Sequence, residues 1–178
     1  MQRNFILTLT GPDRIGIVQE VTGLLLELGG NVETSRMARL GGEFAVLMLV
    51  SMPTSRSEGL EEVLERLADR GYKSTITPAG RTYAEAYLGW QPYRIEVEGA
   101  DHEGIIHEVA QYLSTRGINI ESIESEATPA STSGVPLFSM TALVVVPPHL
   151  TGQGWEVGLE EIGGRMNLDV EVRALEED

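Results

Sequence analysis

The chain contains no cysteine and a single lysine, Lys73, among its 178 residues. Without thiols, disulfide frameworks, thiol catalysis, thiolate zinc sites and iron–sulfur ligation are excluded. No apolar run reaches the roughly 18 residues that a membrane-spanning helix needs. The opening residues, Met1 to Ile6, lack a basic region followed by a long apolar one, so no secretory signal is expected. The simplest expectation is a soluble, cytoplasmic protein without membrane contact. Its length suits one medium domain or two small ones.

Positive charge is scarce as well. Lys+Arg number 13 against 27 Asp+Glu, a net charge of −14. The imbalance is uneven: residues 1–89 carry 9 basic and 11 acidic side chains, residues 90–178 carry 4 and 16. Nucleic-acid binders neutralise phosphates with clustered Lys and Arg. Direct contact with DNA or RNA is therefore not expected.

What is present is an internal repeat. Phe5 to Val21 returns as Tyr93 to Val109 without a gap, at an offset of 88 residues. Gly11/Gly99, Asp13/Asp101, Gly16/Gly104, Ile17/Ile105, Glu20/Glu108, Gly29/Gly117, Asn31/Asn119 and Glu33/Glu121 are identical pairs. Phe44 corresponds to Phe138, so the second copy has gained six residues, placed in the turn-rich 128–136 stretch and read as a long loop.

Each copy begins with an alternating strand, Phe5-Leu7-Leu9 or Tyr93-Ile95-Val97. A helix follows with apolar residues at helical spacing, and Gly29 or Gly117 stands where a left-handed C-terminal cap belongs. Two strands come next, about 31–40 and 44–52, or 119–127 and 137–146. A second helix carries Leu60, Val63, Leu64 and Leu67, or Trp155, Leu159, Ile162 and Met166. A last strand closes each copy. The order predicts an α+β protein of two ferredoxin-like βαββαβ domains with antiparallel sheets. The expected domains are 1–79 and 92–178, with a linker at 80–91.

Helices cover one face of such a sheet and leave the other free. In copy one that free register reads Ile6, Ala45, Leu47 and Leu49; in copy two it reads Arg94, Glu96, Ser139, Thr141 and Leu143. An apolar outer face marks an interface; the alternative is a strand covered by the linker aromatics Tyr83, Tyr87 and Trp90. Copy one is expected to assemble and sense, and copy two to offer its charge to a basic partner.

The chemistry-bearing element is Gly11-Pro-Asp13-Arg14-Ile-Gly16-Ile17, echoed by Gly99-Ala-Asp101-His-Glu-Gly104-Ile105. Gly11 is expected to permit a tight turn and Asp13 to cap the helix. Gly16 and Gly104 are placed in the first helical turn, where a missing side chain lets a ligand or neighbouring subunit approach free amides that favour an anion such as a carboxylate. The bland alternative is a well-capped helix start.

With Asn31-Val-Glu-Thr-Ser-Arg-Met-Ala38, Gly41-Gly-Glu-Phe-Ala45 and Gly134-Val-Pro-Leu-Phe-Ser-Met140, this element makes the chain resemble the tandem ACT-domain family over about residues 3–173. More narrowly, it is similar to two-ACT repressors of the glycine cleavage system. The resemblance implies regulation rather than catalysis: binding of a small amino acid, glycine among them, where domains meet, in a homodimer that acts through a protein partner such as a transcription factor. It nominates Gly11, Asp13, Arg14, Gly16 and Ile17 as one ligand site and Gly99, Asp101, Gly104 and Ile105 as the other, with Asn31 and Asn119 holding the ligand or the adjoining turn. No catalytic residue, cofactor or metal is expected. The alternatives are a purely structural or interaction module, and a metal-dependent enzyme built on copy two. Against the last, His102 and His107, read as five apart on one helix, diverge by roughly 140°.

Overall fold

Strand alternation and helix periodicity produce the same unit twice. In this computed structural model, which describes residues 1–80, 86–129 and 136–176, the chain divides into Met1–Thr82 and Tyr83–Asp178. The first unit runs β1 (Gln2–Pro12), α1 (Ile17–Glu27), β2 (Asn31–Leu40), β3 (Glu43–Pro53), α2 (Leu60–Ala68) and β4 (Lys73–Pro78). The second runs β5 (Gln91–Ala100), α3 (Ile105–Thr115), β6 (Asn119–Thr128), β7 (Leu137–Val146), α4 (Val157–Met166) and β8 (Leu168–Ala174). A short 3-10 turn, Thr54–Gly59, leads into α2. The expected loop at 128–136 falls largely on residues 130–135, outside those described.

Each unit has one antiparallel four-stranded sheet, in the order β2-β3-β1-β4 and β6-β7-β5-β8. Phe5, Leu7 and Leu9 pair with Val50, Met48 and Val46, which puts six apolar side chains on one face. Ile17, Val21, Leu24 and Leu25 of α1 and Leu60, Val63 and Leu67 of α2 close over that face, and all thirteen are buried. The second core repeats this with Tyr93, Ile95, Val97, Met140 and Val144 under Ile105, Val109, Leu113 and Leu159. Burying a large aliphatic side chain contributes about 1.5–3 kcal/mol, so each core stabilises its own unit.

The helix ends follow from glycine. Gly29 and Gly117 adopt φ 71° and 69°. Gly29 N–H donates to Leu26 O and Gly30 N–H to Leu25 O; Gly117 and Ile118 do the same with Ser114 and Leu113. These are Schellman ends, which satisfy helix carbonyls and turn the chain back to the sheet. The repeated glutamates just beyond, Glu33 and Glu121, sit where the pairing of β2 with β3 and of β6 with β7 shifts by one residue. Their identity in both copies marks a bulge.

Candidate functional site at the first helix start

In both units the first strand hands over to the first helix through a loop held by backbone. Asp13 N–H donates to Gly42 O at 2.9 Å, and Asp101 N–H to Pro136 O at 2.8 Å. Gly16 and Gly104 then take φ 91° and 93°, just outside the helix rather than in its first turn. That backbone conformation is what demands glycine there. A Cβ at either position would meet nothing within 4 Å, so the space above is open.

Asp13 is not the cap. No side chain bonds to either helix start; Asp13 instead lies 3.8 Å from Arg39. The glycine lengthens the loop beyond the reach of the aspartate, and the first-turn amides are left for water or a ligand. Gly11 and Gly99 form no turn either. They lie within β1 and β5, opposite Phe44 and Phe138. A Cβ on Gly11 would strike the Tyr72 ring, and on Gly99 it would come within 2.6 Å of Leu168 Cδ2. Gly11 makes room for Tyr72, just before β4, and Gly99 for Leu168, the first residue of β8. Ile17 and Ile105 are buried, so their side chains serve the core and only their backbone faces the loop.

Arg14 and its counterpart His102 latch the loop to the second half of each unit. Arg14 Nε donates to Tyr72 Oη at 2.5 Å, and its guanidinium pairs with Glu20, which also meets Arg70. His102 is in the loop, not on α3: Nε2 lies 3.1 Å from Met166 O and Nδ1 3.1 Å from Glu103 O. Among the described residues no three His, Cys, Asp or Glu side chains gather as a metal site.

A groove of about 400 Å³ leads from Gly16 between α1 and α2, with Arg14, Arg66 and Arg70 against Glu20 and Glu27. Its counterpart of about 310 Å³ has Arg165 against Glu108 and Glu161. The two copies therefore present different charge beside the same backbone element. Tyr72, Glu20 and Arg70 escaped the sequence reading; the repeated Glu20/Glu108 pair was the available signal.

Asn31 and Asn119 stand elsewhere. Asn31 pairs with Ser51 near one end of β3, whereas Pro12 pairs with Glu43 at the other. Eight strand residues at about 3.4 Å each set them roughly 27 Å apart. Asn31 Nδ2 donates to Glu33 Oε1 at 3.0 Å, and Ser51 Oγ donates to the same oxygen. These bonds, that of Ser51 first, hold the Glu33 carboxyl below the usual glutamate range. Asn119 borders a groove with Tyr87, Trp90, Ala110 and Ser114, so these linker aromatics lie along α3. Tyr83 falls outside the described residues. Within one unit, neither asparagine shares a ligand with the loop.

Residues 3–71 match the ACT-domain family model. The glycine cleavage system transcriptional repressor of Escherichia coli (strain K12) is 27% identical over 135 residues, covering 72% of this chain and 67% of that protein. A crystal structure of an unknown protein from Galdieria sulphuraria is 31% identical with a TM-score of 0.87, covering 99% of this chain and all of that one. A structure provisionally named as a glycine cleavage system transcriptional repressor shares the fold, with a TM-score of 0.72 at 21% identity over 99% of both chains. Residues 3–71 are thus matched as an ACT domain, the second unit repeats its βαββαβ topology, and the chain as a whole resembles the glycine cleavage system transcriptional repressor.

Proposed function

We propose that this ACT-domain regulatory protein senses a small amino acid, glycine first, at the starts of α1 and α3. The observation that carries the reading is the uncapped helix start behind a left-handed glycine, present in both units with open space above it. Free amides and the positive end of the helix suit an amino-acid carboxylate. Because Glu20 and Tyr72 already engage Arg14, the amides rather than that guanidinium supply the attraction in unit one. Bound ligand favours one arrangement of a homodimer, and the change is passed to a cytoplasmic protein partner rather than to DNA. The acidic second unit suits a basic partner, whose association weakens as salt rises.

The test is a thermal-shift series across the amino acids. A ligand at a hundred times its dissociation constant stabilises the native state by about 2.7 kcal/mol. Glycine is expected to raise the transition, and Gly16→Val with Gly104→Val together to abolish the response. No response to any amino acid at millimolar concentration would overturn the sensor reading. A purely structural role draws support from the packing of Gly11 and Gly99 and would leave all these curves superimposed.

A further inference from the structure

The two units differ where the second helix meets the last strand. Counting back four residues from Gly71 and Asn167, which both take positive φ before that strand, sets Leu67 opposite Gly163. Gly163 lets α4 settle onto β8: a Cβ there would lie 2.7 Å from Val170 Cγ2 and 2.8 Å from Leu168 O. Leu67 is fully buried at the same level in unit one, and a leucine cannot sit that close. Beside it a cavity of about 610 Å³ opens along β4, bordered among others by Leu64, Glu65, Ala68, Tyr72, Lys73 and Ser74, so among the described residues its only carboxylate stands on the helix side and its lysine on the strand.

β4 ends its sheet. Ala79 N–H donates to Asn4 O, which sets the alternation: Thr77, Thr75 and Lys73 bond toward β1, while Ser74 and Ile76 turn N–H and C=O outward. Pro78 has no N–H and closes the edge. An extended segment laid along β4 would alternate between two environments. Toward the helices it would meet Leu64 and Ala68. On the outer side it would meet Lys73, and the three central cross-strand rows of that face carry Lys73 and Arg36 and no carboxylate.

We propose that the β4 edge of unit one is a docking groove for an extended partner segment in which apolar residues alternate with acidic ones. Main-chain bonds to Ser74 and Ile76 give affinity, the Leu64–Ala68 pocket takes an apolar side chain, and Lys73 selects carboxylates on the other side. The proposal stands apart from the amino-acid site, which lies on the first loop.

The probe is a peptide with the pattern of β8, Asn-Leu-Asp-Val-Glu-Val-Arg-Ala, titrated into the full chain labelled for NMR. Saturable shifts are expected at Leu64, Ala68, Ser74 and Ile76, with slowed exchange of the Ser74 and Ile76 amides. Ser74→Pro removes an N–H that the β1–β4 pairing turns outward, at an edge-strand position where proline is tolerated; it is expected to keep the native spectrum and to weaken binding by at least about tenfold. Ala68→Trp, which fills the pocket, does the same. A peptide with lysine in place of its two acids binds several-fold more weakly. Absence of saturation at millimolar peptide, shifts centred on β2, β6 or β8, or unchanged affinity in Ser74→Pro overturns the proposal. So does a concentration-dependent dimer dissolved by Ser74→Pro, which would assign the edge to a second copy.

Discussion

At the scale of single residues, glycines of one motif have different causes. Gly16 is required by its φ of 91° and by nothing nearby, whereas Gly11 is extended and is required by the Tyr72 ring. Gly11→Ala is therefore expected to overpack the unit-one core and cost about 1–3 kcal/mol in urea unfolding. Gly16→Ala meets no neighbour, and its cost of about 1–2 kcal/mol is backbone strain alone. Glu33 gives a pH signature. Its carboxyl is held low in the fold, so its contribution is present above the unfolded value and is lost as pH falls through the folded one. Ser51→Ala removes the largest cause and is expected to move the Glu33 titration, followed by carbon-detected NMR, upward; an unmoved titration would show the bond to be idle.

Among the elements, α4 lies close against β8 at Gly163. Gly163→Ala drives a methyl group into Val170 and Leu168 O and should cost about 1–3 kcal/mol. The neighbouring Gly164→Ala meets nothing and should stabilise by about 0.4–1 kcal/mol, since alanine loses less backbone entropy in a helix. Opposite signs for adjacent substitutions in chemical denaturation would establish the close approach. Strand and helix positions were legible because periods of two and of 3.6 residues survive in single side chains. Asp13 was misplaced as a cap because capping depends on a backbone angle at Gly16 that residue type alone leaves open.

Across the whole molecule, charge separates the units. The free face of sheet two has the rows Glu124–Thr141–Glu96–Glu171 and Glu126–Ser139–Glu98–Asp169. Glu96 faces Glu171 and Glu98 faces Asp169 directly, and like charges so placed destabilise. Glu171 is offset by its 2.7 Å pair with Arg173, so the test falls on Asp169: Asp169→Thr is expected to stabilise by about 0.2–1 kcal/mol, with a gain that shrinks as salt is added, in denaturant curves at two ionic strengths. The corresponding face of sheet one keeps Leu47 and Ala45 exposed and Ile6 and Leu49 half-buried. Like the edge of β4, it offers a partner apolar surface.

The repeat, the order of elements, the Schellman glycines and the unequal charge were determined by the sequence, because each is a property of neighbours along the chain. The tertiary structure decided what depends on residues brought together from afar. It placed Tyr72 over Gly11, tied Arg14 to Tyr72 and His102 to the end of α4, and set Asn31 at the far end of the sheet from Gly16. These contacts join positions 40 or more residues apart in the chain or opposite ends of one strand, and no local period encodes such distances.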